Sequence, residues 1–587
     1  MNGSAYGVVA VAVVIAATVL IGTFALRLSR TTSDFYVASR SVSPVWNASA
    51  IGGEYLSAAS FLGVAGLILA YGADMLWFPV GYTAGYLVLL VLVAAPLRRS
   101  GAYTLPDFAE ARTESRLVRR IASVLVVTIG WLYLLPQLVG AGLTVTLATG
   151  APGWVGGLLV AVVVVFSVAT GGMRSITFVQ AFQYWLKLTA LALPVLFLVL
   201  AWQADGSPSP GDGVATFPDR TVVRLTDDTT FVVREAVVVT ASGRLSPVGG
   251  DVTTYDSERL QLAPGDWRAA DGSSLTFPAG AVVPHLEGLT PSEGADWSRP
   301  LSGAGGRDHP LYATYSLILA LFFGTMGLPH VLVRFYTNPD GRAARRTTLV
   351  VLCLLGGFYL LPTVYGALAR VYTPDLLLTG RTDTAVLLLP ERLVGGTGGH
   401  LLTALVTAGA FAAFLSTSSG LTVSVAGVLS QDVLRGSVRD FRLAAALAVT
   451  VPFILSLGAA SLNVADVVGL AFAVAASSFC PLLVLGIWWR GLTDVGAMAG
   501  LLTGGGLATA AVSATIFGVD RDGWSGALLA QPAAWTVPIA FAVMVLVSLR
   551  TPHRVAPDVA RTMVRLHAPE SVELRDRTRG TSPSRQS

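Results

Sequence analysis

Stretches of about twenty apolar residues recur along almost the whole chain, and each is long enough to cross the roughly 30 Å hydrocarbon core of a bilayer as one helix. About thirteen stand out, centred near residues 6–26, 45–70, 76–97, 119–148, 154–171, 177–202, 308–332, 348–370, 398–430, 443–461, 464–488, 495–517 and 532–549. Charge density agrees: 13% of the 587 residues are charged and 53% are apolar, against roughly 25% charged in soluble domains. So little charge cannot cover a globular surface of this size, and most of the protein must face lipid. A cytosolic enzyme, a nucleic-acid binder and a disordered scaffold are excluded together. The first segment lacks a basic start and a small-residue cleavage site, so it reads as a span and not as a cleaved signal.

The 39 basic and 35 acidic residues leave a net charge of +4, and the basic ones collect in short loops. Arg27, Arg30 and Arg40 follow the first segment, and Arg98, Arg99, Arg112, Arg116, Arg119 and Arg120 follow the third. Arg174, Arg342, Arg345, Arg346, Arg435, Arg439, Arg442 and Arg490 continue the alternation. All fall on one side if the N-terminus is outside and the C-terminus is cytoplasmic, as expected for a multi-pass protein of a bacterial plasma membrane. Lys187 is the only lysine. Cys353 and Cys480 lie in separate apolar segments, which excludes a disulfide framework.

The chain divides into residues 1–202 (segments one to six), 203–307, 308–549 (segments seven to thirteen) and a tail, 550–587. The tail is rich in Arg, Ser and Pro and reads as largely disordered. Residues 203–307 are polar, and TVVRL, TFVVREAVVV and SLTFP look like short strands between turn residues. A small β-rich extracytoplasmic insertion is expected there, either a decoration of the outer loop or a docking or gating module.

Two segments look broken. The second carries Gly52, Gly53, Glu54, Ser57, Ser60 and Gly63 inside apolar sequence, and the seventh carries Gly324, Thr325, Gly327 and Pro329. A broken helix is tolerated in a membrane only where it lines a cavity or site. The two stand five segments apart, the spacing of first helices in two inverted five-helix repeats, here helices 2–6 and 7–11. In the ninth segment, Ser416, Thr417, Ser418 and Ser419 follow Ala413. Such hydroxyls either serve close packing or, with carbonyls of the broken second helix, replace the hydration shell of a small hard cation such as Na+. Glu54 is costly inside a membrane unless used or paired. It is either a coupling group or half of a structural ion pair, with Lys187 as a candidate partner; Lys187 could equally snorkel to an interface. Gln137 either reaches a substrate or bonds between helices, and His330 and Arg334 are expected to anchor the inner end of the seventh helix to its loop. No His/Cys/Glu cluster has metal-ligand spacing, no loop cradles phosphate and no nucleophile–base pair is visible.

Several ordered stretches carry a resemblance: SDFYVASR, YTLPDFAEAR, ATGGMRSITFVQ, GLPHVLVRFYT, FLSTSSGLTVSVAGVLSQDVL and FCPLLVLGIWWRGLTDVGAMAGLLTG. The chain resembles the sodium:solute symporter family over nearly all its membrane portion, and GEYLSAASFLG with GTMGLPHVLVRFYTNPD is most similar to the cation/acetate and monocarboxylate permeases. The resemblance implies an all-α polytopic protein with the LeuT-type 5+5 inverted repeat. It implies a Na+ site made of the carbonyls of Gly53, Leu56 and Ala413 and the hydroxyls of Ser416 and Thr417. Ser57 and Ser60 fall where the family contacts substrate, and with Gly324, Thr325 and Gln137 they would line a small cavity. Thr177 stands where sugar- and proline-transporting relatives carry an aspartate, and Glu54 where acetate-type members carry one. The implied function is Na+-coupled uptake of a small monocarboxylate (acetate, propionate or pyruvate) with Na+ as the co-transported ion and no organic cofactor. Rival readings are H+ coupling, another small solute such as an amino acid, or a transporter-fold receptor.

Overall fold

The computed structural model describes residues 3–26, 42–301, 309–434, 437–458, 464–516 and 523–569. The SDFYVASR stretch, with Arg40, lies outside them, as do Arg27, Arg30, Arg435 and the tail from residue 570. In chain order the main helices are α1 (Gly3–Leu26), α2 (Pro44–Tyr55), α3 (Leu62–Tyr71), α4 (Trp77–Leu92), α5 (Leu105–Thr113) and α6 (Arg116–Thr149). They continue as α7 (Gly153–Ala204), α8 (Pro310–Gly327), α9 (Pro329–Val333), α10 (Gly341–Tyr372), α11 (Gly396–Val428) and α12 (Val438–Ser456). The last are α13 (Val464–Trp488), α14 (Asp494–Ile516), α15 (Ala533–Arg550) and α16 (Val559–His567).

Among the described residues, eleven helices are long and apolar enough to cross a membrane, two fewer than the thirteen segments expected. Both differences have physical causes. The second segment is broken, so α2 has only 12 residues, and α3 runs through a single-turn 3-10 connection (Gly72–Leu76) into α4. The tenth, α12, has 19 residues, and any 18-residue window of it keeps Arg439, Asp440 and Arg442. In the other direction, α7 is two spans in one continuous run. They meet at Gly172, whose φ of 58° and ψ of −168° are closed to side-chain-bearing residues.

α11 lies at the centre of the bundle, buried from Val406 to Val428. Its run of Ala, Gly, Ser and Thr lets α7, α6 and α2 approach closely. At one end of the bundle Arg119 gathers three carboxylates: Asp107 at 2.9 Å, Glu110 at 2.7 Å and Asp432 at 2.6 Å. Asp107 also closes a capping box with Thr104 at the start of α5, so one guanidinium ties α5 and α6 to the segment after α11. Arg112, fully buried on α5, donates to the carbonyls of Gly486 (2.8 Å) and Trp489 (2.8 Å), satisfying the C-terminus of α13.

Residues 221–286 contain seven strands: β1 (Thr221–Arg224), β2 (Thr229–Val233), β3 (Val237–Pro247), β4 (Thr253–Leu262), β5 (Gly265–Ala269), β6 (Ser274–Phe277) and β7 (His285–Leu286). They form one antiparallel sheet ordered β1-β6-β3-β5-β2-β7, with β4 paired to β3. The apolar face (Phe217, Phe231, Leu275 and Phe277 among others) shares one cluster with Leu69 and Ala70 of α3 and Ala369 of α10. The Trp297 indole donates to the Leu69 carbonyl (3.2 Å), and Arg370 of α10 donates to the Ser292 carbonyl (2.7 Å).

The tail is not wholly irregular. Val559, Met563 and Leu566 recur at helical spacing inside the polar composition, α16 forms, and Met563 and Leu566 are buried. The His567 carbonyl accepts from Arg99 at 3.2 Å. Removing the hub at Arg119 (Arg119→Ala) leaves Asp107 and Asp432 without their shared cation. It is expected to cost about 1–3 kcal/mol, between exposed and buried pairs, read as a lower melting temperature of the detergent-purified protein.

Candidate functional site

The break in the second segment lies at Leu56 and Ser57, not at Gly52–Gly53 as the sequence suggested. Leu56 has φ −74° and ψ 78°, and Ser57 is extended. Gly52 and Gly53 are helical and serve contact instead: a Cβ on Gly53 would overlap the Gln180 carbonyl, and one on Gly52 would lie 2.8 Å from the Tyr184 ring. The seventh segment breaks at Leu328, held extended (ψ 113°) ahead of Pro329.

At the end of α2, the Gly52 carbonyl accepts from the Leu56 amide and that of Tyr55 from the Ser57 amide. The carbonyls of Gly53, Glu54 and Leu56 are taken up by side chains. Ser416 of α11 donates to the Gly53 carbonyl at 2.6 Å and stands 3.0 Å from the Ala413 carbonyl. Thr417 donates to the Glu54 carbonyl at 2.7 Å. Lys187 of α7 then projects its ammonium among the same oxygens, 2.5 Å from Gly53 O, 2.8 Å from Leu56 O and 3.0 Å from Ser416 Oγ. Because the Ser416 proton goes to a carbonyl, all three oxygens accept from Lys187. Three acceptors match the three N–H groups of a protonated amine. Of the five residues expected to form a cation cage, Gly53, Leu56, Ala413 and Ser416 are thus linked through Ser416 and Lys187, while the Thr417 hydroxyl turns to the Glu54 carbonyl instead.

Glu54 pairs with Arg334 at 2.7 Å, not with Lys187. Arg334 sits in the 3-10 turn after α9 and is 1% exposed, as is Glu54. Its remaining nitrogens reach Thr177 Oγ1 (2.8 Å) and the Gln180 side-chain oxygen of α7. The arginine expected to anchor a loop therefore joins both broken helices to α7 in the protein interior. The Gln180 amide donates in turn to the Ser416 carbonyl (2.8 Å). Buried together are two basic side chains, Lys187 and Arg334, and one acidic one, Glu54.

Beside the break, Ser57 and Ser60 pair through their hydroxyls at 3.2 Å, and Tyr133 of α6 reaches Ser57. The Tyr55 hydroxyl bonds Thr325 Oγ1 at 2.9 Å. Gln137 lies one turn along α6 from Tyr133, and both its amide atoms are buried without a hydrogen-bond partner among the described residues. The same holds for the Tyr86 hydroxyl and both ring nitrogens of His330, whose ring stands edge-on to Tyr133 at 5.2 Å. Rings of Tyr55, Tyr82, Tyr86, Tyr133 and Phe472 complete an aromatic wall. Gly324 packs closely on α13: a Cβ there would lie 2.6 Å from the Phe472 carbonyl. Ser57, Ser60, Gln137 and Thr325 are all at most 2% exposed, so the site is closed on every side.

Sequence reading missed Lys187 as a cage occupant, Arg334 as the partner of Glu54, and the aromatic wall. The signal for Lys187 was present: a lone lysine inside an apolar span is a functional candidate by cost alone. The buried pair makes a testable asymmetry. Glu54→Gln removes the carboxylate and leaves two buried cations, an expected loss of about 3–5 kcal/mol. Adding Arg334→Met to it should restore part of that loss, with a coupling of about 1–3 kcal/mol, read from the melting temperatures of the four proteins in one detergent.

Residues 35–207 and 287–504 match the sodium:solute symporter family. The chain is 30% identical over 547 residues to an uncharacterised symporter of Bacillus subtilis, covering 90% of this chain and 91% of that one. It is 30% identical over 550 residues to a monocarboxylic acid transporter of Corynebacterium glutamicum, covering 88% and 87%. Among solved structures it is similar to the substrate-bound, outward-open state of a Na+-coupled sialic acid symporter, with a TM-score of 0.61 and 15% identity over 92% of this chain and 98% of that one. The fold is that of a helical, polytopic membrane transporter, the activity of the family is Na+-coupled symport and not catalysis, and the chain belongs to the sodium:solute symporter family.

Proposed function

We propose that this protein carries a small monocarboxylate, of the size of acetate, propionate or pyruvate, into the cell with Na+ by alternating access. The observation that carries the substrate class is the buried charge. With Lys187 protonated, Lys187, Arg334 and Glu54 carry one surplus positive charge beside the buried Ser57, Ser60, Thr325 and Gln137. A buried charge is costly unless paired, and a single carboxylate entering the chamber would pair this one. Ser57, Ser60, Thr325 and Tyr133 offer hydroxyls there and Gln137 an unpartnered amide, beside aromatic rings that suit a short carbon chain. The relative described as a monocarboxylic acid transporter favours the same class.

In this reading helices 2–6 and 7–11 of the thirteen predicted segments form two inverted repeats, and the N-terminus and residues 203–307 lie outside. Na+ binds among the oxygens of Gly53, Leu56, Ala413, Ser416 and Thr417, fixing the broken α2 to α11. A chamber already ordered by the ion binds the carboxylate with less ordering cost. Movement of one bundle against the other then opens the site inward.

Uptake of labelled acetate and pyruvate into proteoliposomes at fixed pH is expected to rise at least tenfold with an inward Na+ gradient and to vanish in Ser416→Ala/Thr417→Ala. Uptake that ignores Na+ and follows a pH gradient would assign the coupling to protons, and no uptake of either acid would remove the monocarboxylate. One Na+ per carboxylate moves no net charge, so an imposed potential should leave the rate unchanged. A second cation would add about 2.3 kcal/mol per 100 mV and make uptake depend on the potential.

A further inference from the structure

The oxygens expected to hold Na+ already hold a cation. Lys187 is fully buried, is the only lysine in the chain, and spends its three N–H donors on Gly53 O, Leu56 O and Ser416 Oγ. Two of these are the carbonyls set free by the break in α2, and the third is one of the two hydroxyls of the cage. The amine is tethered to α7, whose close approach at this level depends on Gly53 lying against Gln180 and on Gly409 of α11, where a Cβ would meet Ala190 at 2.6 Å. The ammonium is therefore built into the site by the packing of three helices.

We infer that the Lys187 ammonium and Na+ are alternative occupants of one cage: the tethered cation satisfies the carbonyls of the broken helix in the ion-free carrier, and Na+ binds only as the ammonium withdraws. The physical reason is twofold. Na+ needs to touch the same oxygens, and each can direct its lone pairs at one centre at a time. Two full positive charges within a few ångströms also repel strongly in a buried site, and the nearby Glu54 is engaged by Arg334. Lys187 thereby keeps α2 and α11 joined while no ion is present, and it sets how much Na+ is needed to fill the cage. This inference rests on the cage described above being the Na+ site, and its test uses binding to the purified protein, so that failure of the uptake experiment and failure here are read separately.

The measurement is the melting temperature of the purified full chain in detergent against NaCl, with choline chloride keeping ionic strength constant and no carboxylate present. Ligand that binds only the folded state raises the melting temperature with a half-point that follows its affinity. For Lys187→Met and Lys187→Gln the half-point is expected to fall at least tenfold below that of the unaltered protein, or a Na+ response to emerge where the unaltered protein has none. Lys187→Gln keeps two N–H donors for the freed carbonyls and carries the test if the Met variant does not fold. Lys187→Arg, which keeps the charge, should not tighten Na+ binding. Adding Ser416→Ala/Thr417→Ala to Lys187→Gln should abolish the response, locating the ion in the cage. Equal half-points in the unaltered protein and the neutral variants, no Na+ response in any of them, or tightening in Lys187→Arg as large as in Lys187→Gln would each overturn the inference.

Discussion

A helix that breaks inside a bilayer leaves carbonyl oxygens with no water to turn to, and the interior of this protein is organised around three of them. Gly53, Glu54 and Leu56 end α2 without backbone donors for their oxygens, and an unsatisfied group at this depth costs several kcal/mol. Ser416, Thr417 and Lys187 answer that demand from two other helices. The small residues along α11 and the bare Cα of Gly53 exist to let those donors come close enough.

The Glu54–Arg334 pair adds a second level of connection. Arg334 follows the second break, Glu54 precedes the first, and Thr177 and Gln180 bring α7 into the same network. Asn47 on α2 donates to the Arg334 carbonyl at 3.1 Å, closing the loop through the backbone. The two discontinuities, far apart in sequence, are thereby one electrostatic unit. Its charges are fully desolvated, so a change in the spacing of α2, α7 and the turn after α9 is felt at all three partners together.

Much of this was legible in the chain. Apolar run length gives the spans, and Pro329 gives the second break through the restriction it places on Leu328. The hydroxyl pair at Ser416 and Thr417 identifies the helix that faces the first break. What escaped was what depends on three-dimensional approach. Gly52 and Gly53 look like the break because glycine is a helix breaker on average, yet here they are contact points against Tyr184 and Gln180, and the chain opens four residues later. Arg334 sits in VLVRFYT, which reads as a helix end, and nothing local reveals that its partner is 280 residues away. The count of spans differed for an equally physical reason: a helix cut in two is too short in either half to be counted alone.

The sheet over residues 221–286 shares its apolar core with the end of α3 and with α10, and it is not hung from flexible linkers at that face. Its attachment is thus shared between α10 and one half of the broken helix. If that half tilts during a cycle, the sheet packed on it must tilt too or slip along the shared core. The sheet and the segment that begins beside Ser60 therefore share one apolar contact, and neither can shift at that contact without disturbing the other.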